Sequence, residues 1–240
     1  MGSSWSQDES SQLSEKPGET LSQTLDINTT AKETIQAKQI PHNYAAIMKD
    51  ADSPVNESSI EKLNDQLYAG VLLNENRKKF WMEKKFNNNC FMMFARNLSI
   101  TWAEDCRYWH WLKIKETSDA FVDVAELLNV CWLEVHGKFE TAKLSPGIMY
   151  KVAFVVMMKD PAYGWRVPVN LKLALPDGNT QEHKENFREK PKGQWIEIPV
   201  GQFQTSAENI GEIEFSLFEY EGGDWKSGLV VKGVIIQPKN

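Results

Sequence analysis

Between Leu98 and Trp111 the chain places three indoles and a phenol within ten positions: Trp102, Tyr108, Trp109 and Trp111. The short acidic stretch Glu104-Asp105 lies between them. A flat, amphipathic ring held on a rigid strand is a platform for stacking a weakly polar, ring-shaped ligand, and equally a wedge for a sheet core. Both readings stay open for Trp102 and Trp109. Sugars are held in the first way: the C–H face of a pyranose lies on an indole while carboxylates, amides and amines bond the hydroxyls. Asp105 stands where such an acceptor would be needed. A second stretch of this kind runs from Glu212 through Glu219-Tyr220-Glu221 to Trp225-Lys226. Ile213, Phe215, Leu217 and Glu219 are in phase, so Glu219 follows a core face to its rim, where a carboxylate needs a partner or a ligand.

These residues must be positioned by strands. From about residue 77 the hydrophobic period is two, with strands expected near 98–102, 108–115, 130–136, 149–158, 168–175, 194–200, 211–218 and 228–236. Ser145-Pro146-Gly147, Pro176-Asp177-Gly178-Asn179 and Gly222-Gly223 supply turns between them. Eight or more short strands without helical spacers predict an all-β fold, an antiparallel β-sandwich of jelly-roll-like form, over 77–240. On the strand at 108–115, Trp109, Trp111, Lys113 and Lys115 share a face. The lysines make that the wet side, turning Trp109 towards solvent or a groove. Trp132, inside the apolar run Val130–Leu133, reads as packing.

Ahead of the sandwich, 41–76 reads as a short helical connector. Ser58 and Glu61 have capping-box spacing, Ile60, Leu63, Leu67 and Val71 share a helical face, and Gly70 can end the helix. Residues 1–40, rich in Ser, Gln, Thr and Glu, read as a disordered tail. Its opening, Met-Gly-Ser-Ser-Trp-Ser, fits the N-myristoylation pattern with Gly2 as acceptor, which would give reversible membrane association.

Composition narrows the function classes. Apolar content of 41% and charge of 25% are those of a globular protein, and a net charge of −6 weighs against direct, strong RNA binding. There is no apolar run of about 18 residues to span a membrane and no signal peptide, so the reading is cytoplasmic, with the nucleus as an alternative. Three cysteines, Cys90, Cys106 and Cys131, do not make a disulfide framework. Cys106, in a loop, leaves intermolecular cross-linking open. Neither a nucleophile elbow, a Cys/His dyad, nor a zinc or phosphate motif is present. No cofactor and no metal are expected.

Several uncommon words carry a resemblance: Asn-Leu-Ser-Ile-Thr-Trp at 97–102, Arg-Tyr-Trp-His-Trp at 107–111, and Val-Cys-Trp-Leu-Glu-Val-His-Gly-Lys-Phe at 130–139. Asp-Pro-Ala-Tyr-Gly-Trp at 160–165 and Trp-Lys-Ser-Gly-Leu at 225–229 add to it. Over about residues 78–240 the chain resembles the phloem protein 2 lectins, relatives of the tobacco agglutinin Nictaba. That resemblance implies a non-catalytic β-sandwich binding N-acetylglucosamine oligomers (chitooligosaccharides) and the N-glycans of glycoproteins, in phloem companion cells or sieve elements, with homodimers in some members. It implies sugar stacking by Trp102 and Trp109 and sugar contacts from Glu212 and Glu219, with Trp225, Lys226 and Asp105 nearby. Seven residues of regular strand separate Glu212 from Glu219 by about 23 Å and put them on opposite faces. Two rival readings remain: an interaction protein of phloem that cross-links by thiols or carries RNA, and a glycosidase pairing Glu104 or Asp105 with Glu219.

Overall fold

A computed structural model of the chain describes residues 40–207 and 210–239. The expected disordered tail and the acylation of Gly2 lie outside the described residues. Among the described residues two α-helices precede the sheets, α1 (Tyr44–Met48) and α2 (Ile60–Ala69). The N-cap of α2 is Ser59, whose hydroxyl accepts the Lys62 N–H at 3.3 Å, one position later than the capping pair expected from sequence. Leu63 and Leu67 bury their side chains in the main core. Val71 does not continue that helical face, because Gly70 at φ 98° ends the helix and Val71 opens a strand.

The remainder is an antiparallel β-sandwich. One sheet holds β1 (Val71–Leu73), β2 (Lys78–Met82), β3 (Asn89–Phe94), β5 (Trp109–Lys115), β6 (Phe121–Leu127), β8 (Met149–Tyr163), β11 (Trp195–Gln204) and β13 (Ser227–Pro238). Strand β13 is its spine. It pairs with β8 along one side, and on the other with β6 near its start and β3 near its end. The second sheet has the order β10 (Thr180–Glu185), β9 (Val169–Ala174), β12 (Glu212–Glu219), β7 (Leu133–Glu140), β4 (Ser99–Ile100).

Alternation fills the space between the sheets. Ile213, Phe215 and Leu217 of β12, Leu133, Val135 and Phe139 of β7, and Val169, Leu171 and Leu173 of β9 are all buried. They face Tyr150, Val152, Phe154, Val156 and Met158 of β8, with the Phe154 and Phe215 rings edge to face at 6.2 Å. Three strands escaped the sequence pattern, β1 because its Val71 also falls in sequence phase with the connector helix. β10 is polar on both sides, as an edge strand can be, and β6 follows the 117–120 turn without a glycine to mark it.

Gly137 sits opposite Phe215 in the β7–β12 register, and a Cβ there would lie 2.7 Å from the Phe215 ring and 2.8 Å from Leu98 Cδ2. Gly137→Ala should therefore overpack the core and lower stability by about 1–3 kcal/mol, read as a fall in urea midpoint at unchanged m-value. A midpoint equal to wild type would show that the Phe215 ring is not held where this packing has it.

Candidate functional site

The β4–β5 loop and the start of β5 carry the aromatic cluster of Trp102, Tyr108, Trp109 and Trp111. Its residues divide sharply. Trp109 is 2% exposed and belongs to the core, so the expectation that it faces solvent is corrected. The loop folds back over the strand start, and the backbone carbonyls of Thr101 and Ala103 accept the indole N–H groups of Trp109 (3.1 Å) and Trp111 (3.0 Å). Arg96 closes over Trp111 with its guanidinium 3.6 Å from the ring centre. The face bearing two lysines is thus core at its beginning and wet only at its end.

Trp102 is the opposite case. It is 47% exposed, with φ at 60°, the left-handed region that a bulky side chain occupies only under strain. Its ring lies 5.3 Å from that of Tyr108, tilted by 39°. Beside it Asp105 holds Arg107 in a two-pronged ion pair, with Nη2 to Oδ2 at 2.6 Å and Nε to Oδ1 at 3.0 Å. The Arg107 side-chain hydrogen bonds push the Asp105 carboxyl down to about 2. Arg96 takes Glu104 at 2.9 Å. Cys106 is exposed, and Cys90, Cys106 and Cys131 are all free thiols.

At the far end of β12 stand Glu219 and Lys226, both fully buried. Lys226 Nζ forms an ion pair with the Glu219 carboxylate and donates to the Cys131 carbonyl at 2.9 Å and the Asp224 carbonyl at 2.8 Å. Glu219 Oε1 accepts the Gly222 N–H at 2.7 Å. Neither side chain has surface left for a ligand, which corrects the reading of both as sugar contacts; a lysine in the loop met the need that a rim carboxylate created. Glu212 is exposed at the other end of β12 and accepts from Lys138 at 2.8 Å. The two glutamates therefore do not converge.

The buried pair fixes the loop from Tyr220 to Lys226, which carries Trp225, itself 50% exposed. A second clamp comes from 164–166. Gly164, at φ 83°, approaches so closely that a Cβ would fall 1.9 Å from the Trp225 carbonyl oxygen. Trp165 donates to the Ser227 carbonyl at 2.9 Å, and Arg166 forms an ion pair with Asp224. Lys226 and Val130 exchange backbone hydrogen bonds, at 2.7 and 3.0 Å. That brings Trp132 beside the loop, 43% exposed, its ring stacked on Tyr220 at 4.2 Å and 14°.

Trp132 is the residue that sequence reasoning missed. It precedes β7 in phase with Glu134, His136 and Lys138, the polar face of the strand, and that phase was the available signal. Its indole N–H and the Thr101 hydroxyl both donate to Glu134 Oε2, at 3.1 and 2.9 Å, and these bonds hold the Glu134 carboxyl below its ordinary range. The exposed Trp102, Trp132 and Trp225 are thereby tied into one end of the smaller sheet, Trp102 through its neighbour Thr101. Among the described residues no group of three or more His, Cys, Asp or Glu side chains could hold a metal ion, and no helix is long and apolar enough to cross a membrane.

Residues 88–238 match the family model described as phloem protein 2. The chain belongs to the phloem protein 2 family. The protein named phloem protein 2-like A1 of Arabidopsis thaliana is 49% identical to it over 202 residues, covering 83% of this chain and 81% of the relative. A protein named lectin from Luffa acutangula is 47% identical over 203 residues, 84% of this chain and 96% of its own. Among solved structures, a carbohydrate-binding module in complex with β-1,4-galactotriose aligns with 59% of this chain and 87% of its own. At 16% identity and a TM-score of 0.32, that likeness carries nothing about the site.

Two expectations follow. Lys226→Met leaves Glu219 buried without its cation and should cost about 3–5 kcal/mol, while adding Glu219→Leu should restore a large part of the loss in a double-mutant cycle. Asp105 should titrate near 2, returning towards 3.8 in Arg107→Gln, as followed by its carboxyl carbon resonance. A depressed carboxyl favours the folded loop above its ordinary value, and that contribution disappears as pH falls through the folded one.

Proposed function

We propose that this phloem protein 2 family member is a lectin without catalytic activity, binding N-acetylglucosamine oligomers and N-glycan cores at the rim built on Trp102. The observation that carries this reading is a half-exposed indole held on strained backbone beside Tyr108. Strain of that kind gathers where a side chain is displayed for binding, because packing alone gives no return for it. The name of the Luffa acutangula relative supports the same class of activity. Trp225 and Trp132 widen the apolar surface, and Glu134 offers an acceptor already ionised below the ordinary carboxylate range.

The carboxylates that a glycosidase would use are otherwise engaged. Asp105 holds Arg107, Glu104 holds Arg96, and Glu219 is buried with Lys226. A hydrolase needs one carboxyl able to give a proton and another free to act on the sugar, so these pairings favour binding over cleavage. The family's name supports a protein of the phloem, and the reading extends to a cytoplasmic protein of that tissue that acts on glycoproteins in defence or stress signalling, as monomer or homodimer.

Trp102→Gly separates binding from folding. Glycine accepts φ 60° without penalty, so the variant should lie within about 1 kcal/mol of wild-type stability while its retention on immobilised chitin oligomers is lost. A variant retained as well as wild type would move the site away from Trp102, and wild-type protein that ignores every oligomer on a glycan array would end the lectin reading.

A further inference from the structure

The outer face of the larger sheet carries a groove of about 450 Å³ that the carbohydrate reading leaves unused. Its floor is apolar, made by Met92 of β3, Ile235 of β13 and Val155 of β8, with the indoles of Trp81 and Trp195 at its two sides. Register sets out this floor: Lys79 lies opposite Met92, Met92 opposite Ile235, and Val155 opposite Glu197. The outer face of an antiparallel sandwich sheet is ordinarily wet. Here Met92 is buried, and Trp81, Val155 and Ile235 are half-buried.

At one end of the groove two lysines meet one carboxylate. Glu116 takes Lys79 Nζ on Oε1 at 3.0 Å and Lys232 Nζ on Oε2 at 2.8 Å. Among the described residues Glu116 is the only ion-pair partner of either lysine. The side chains of Lys79, Lys232 and Glu116 are 17%, 21% and 12% exposed, so the trio carries one surplus positive charge largely out of water. Such a charge is costly until an anion meets it. The other acid of the groove, Glu197, is engaged by Lys151 at 2.9 Å.

The backbone delivers Lys232 to this place. Against β8, Val231 pairs with Val156 and Gly233 with Val155, so Lys232 is the extra residue of a β-bulge in the spine strand. Val231 and Val234 both belong to the core, and the bulge sets Lys232 and Gly233 between them on the outer side. Only glycine fits at 233, where a Cβ would fall 1.9 Å from the Met93 carbonyl oxygen. A bulge in a central strand disrupts the ladder, and its return here is an ammonium aimed at an apolar floor.

We propose that this groove binds a free, unbranched fatty acid, its carboxylate on Lys79 and Lys232 and its chain across Met92, Ile235 and Val155 between the two indoles. Charge selects this occupant: one surplus cation matches one carboxylate, and the apolar floor matches an alkyl chain. From β2 to β11 the sheet spans four strand spacings, about 19 Å, the reach of a chain and not of a compact acid. The proposal is independent of the lectin reading.

Calorimetric titration of the full chain with decanoate, decanol and decyltrimethylammonium, each below its micelle concentration, tests it. Decanoate should bind at one site about tenfold or more tighter than decanol, and the cation should not bind. Lys232→Met should remove the preference for decanoate over decanol. Trp195→Ala should weaken both ligands by about fivefold or more at an unchanged melting temperature. The Trp81 indole N–H resonance, assigned from Trp81→Phe, should move with decanoate. Equal binding of decanoate and decanol, or a decanoate affinity unchanged in folded Lys232→Met, overturns the site. A wild-type protein that ignores decanoate also overturns it: pelleting with phosphatidylserine vesicles would then give the face to a membrane, and a dimer that Trp195→Glu dissociates would give it to a second copy.

Discussion

Two opposite charges sit wholly out of water where β12 ends, and the display of aromatic side chains at that end of the sandwich depends on how Glu219 and Lys226 are satisfied. Removing an ammonium and a carboxylate from water costs several kcal/mol each, and mutual attraction offsets this only when the remaining donors and acceptors are also met. Lys226 donates to the Cys131 and Asp224 carbonyls and pairs as an ion with Glu219 Oε2, while Glu219 Oε1 takes the Gly222 amide. These partners come from the β12 end, the loop after it and the approach to β7. A single cation thus joins segments that carry Tyr220, Trp225 and Trp132. Two hydrophobic residues could fill the same space, but they would not dictate which carbonyls converge.

The same economy governs the β4–β5 loop. Trp109 and Trp111 are large enough to anchor a loop from beneath, and their N–H groups find the loop's own carbonyls. With Trp109 buried and Trp111 half-buried, they fix a backbone that leaves Trp102 no relaxed conformation, and its left-handed φ is the result. Two tryptophans serve as foundation so that a third can be held in the open.

This division explains what the sequence made legible. Strand period, turn chemistry and the α2 boundary at Gly70 could be read directly, since each is a local consequence of side-chain alternation or backbone freedom. Alternation says which residues share a face; it does not say which face a neighbouring loop will cover. That is why Trp109, in phase with Lys113 and Lys115, reads as wet and is core. Trp132 fails for the converse reason: hydrophobic neighbours at 130–133 mask its phase with Glu134 and His136. The Glu219–Lys226 pairing was beyond reach, because its two members are joined through a loop whose path only the folded Val130–Lys226 bridge determines. β10 escaped since an edge strand with few buried side chains carries no hydrophobic period at all.

The smaller sheet therefore has two faces written in one stretch of chain. Along β12 the inward residues Ile213, Phe215 and Leu217 lock the register, and a slip of one position would carry every one of them into solvent. The outward residues inherit that register with no contribution to it, which frees them to be chosen for something other than stability. Ordinary selection for solubility alone favours dense, mutually paired charge on such a face, as at its margins with Lys138 and Lys172. The centre departs from this, with Ser99, His136 and Ser216 in line beside Phe218. Phe218 there is half-buried, and its stacking on Tyr220 at 5.5 Å supplies from within the chain the contact that its polar neighbours do not.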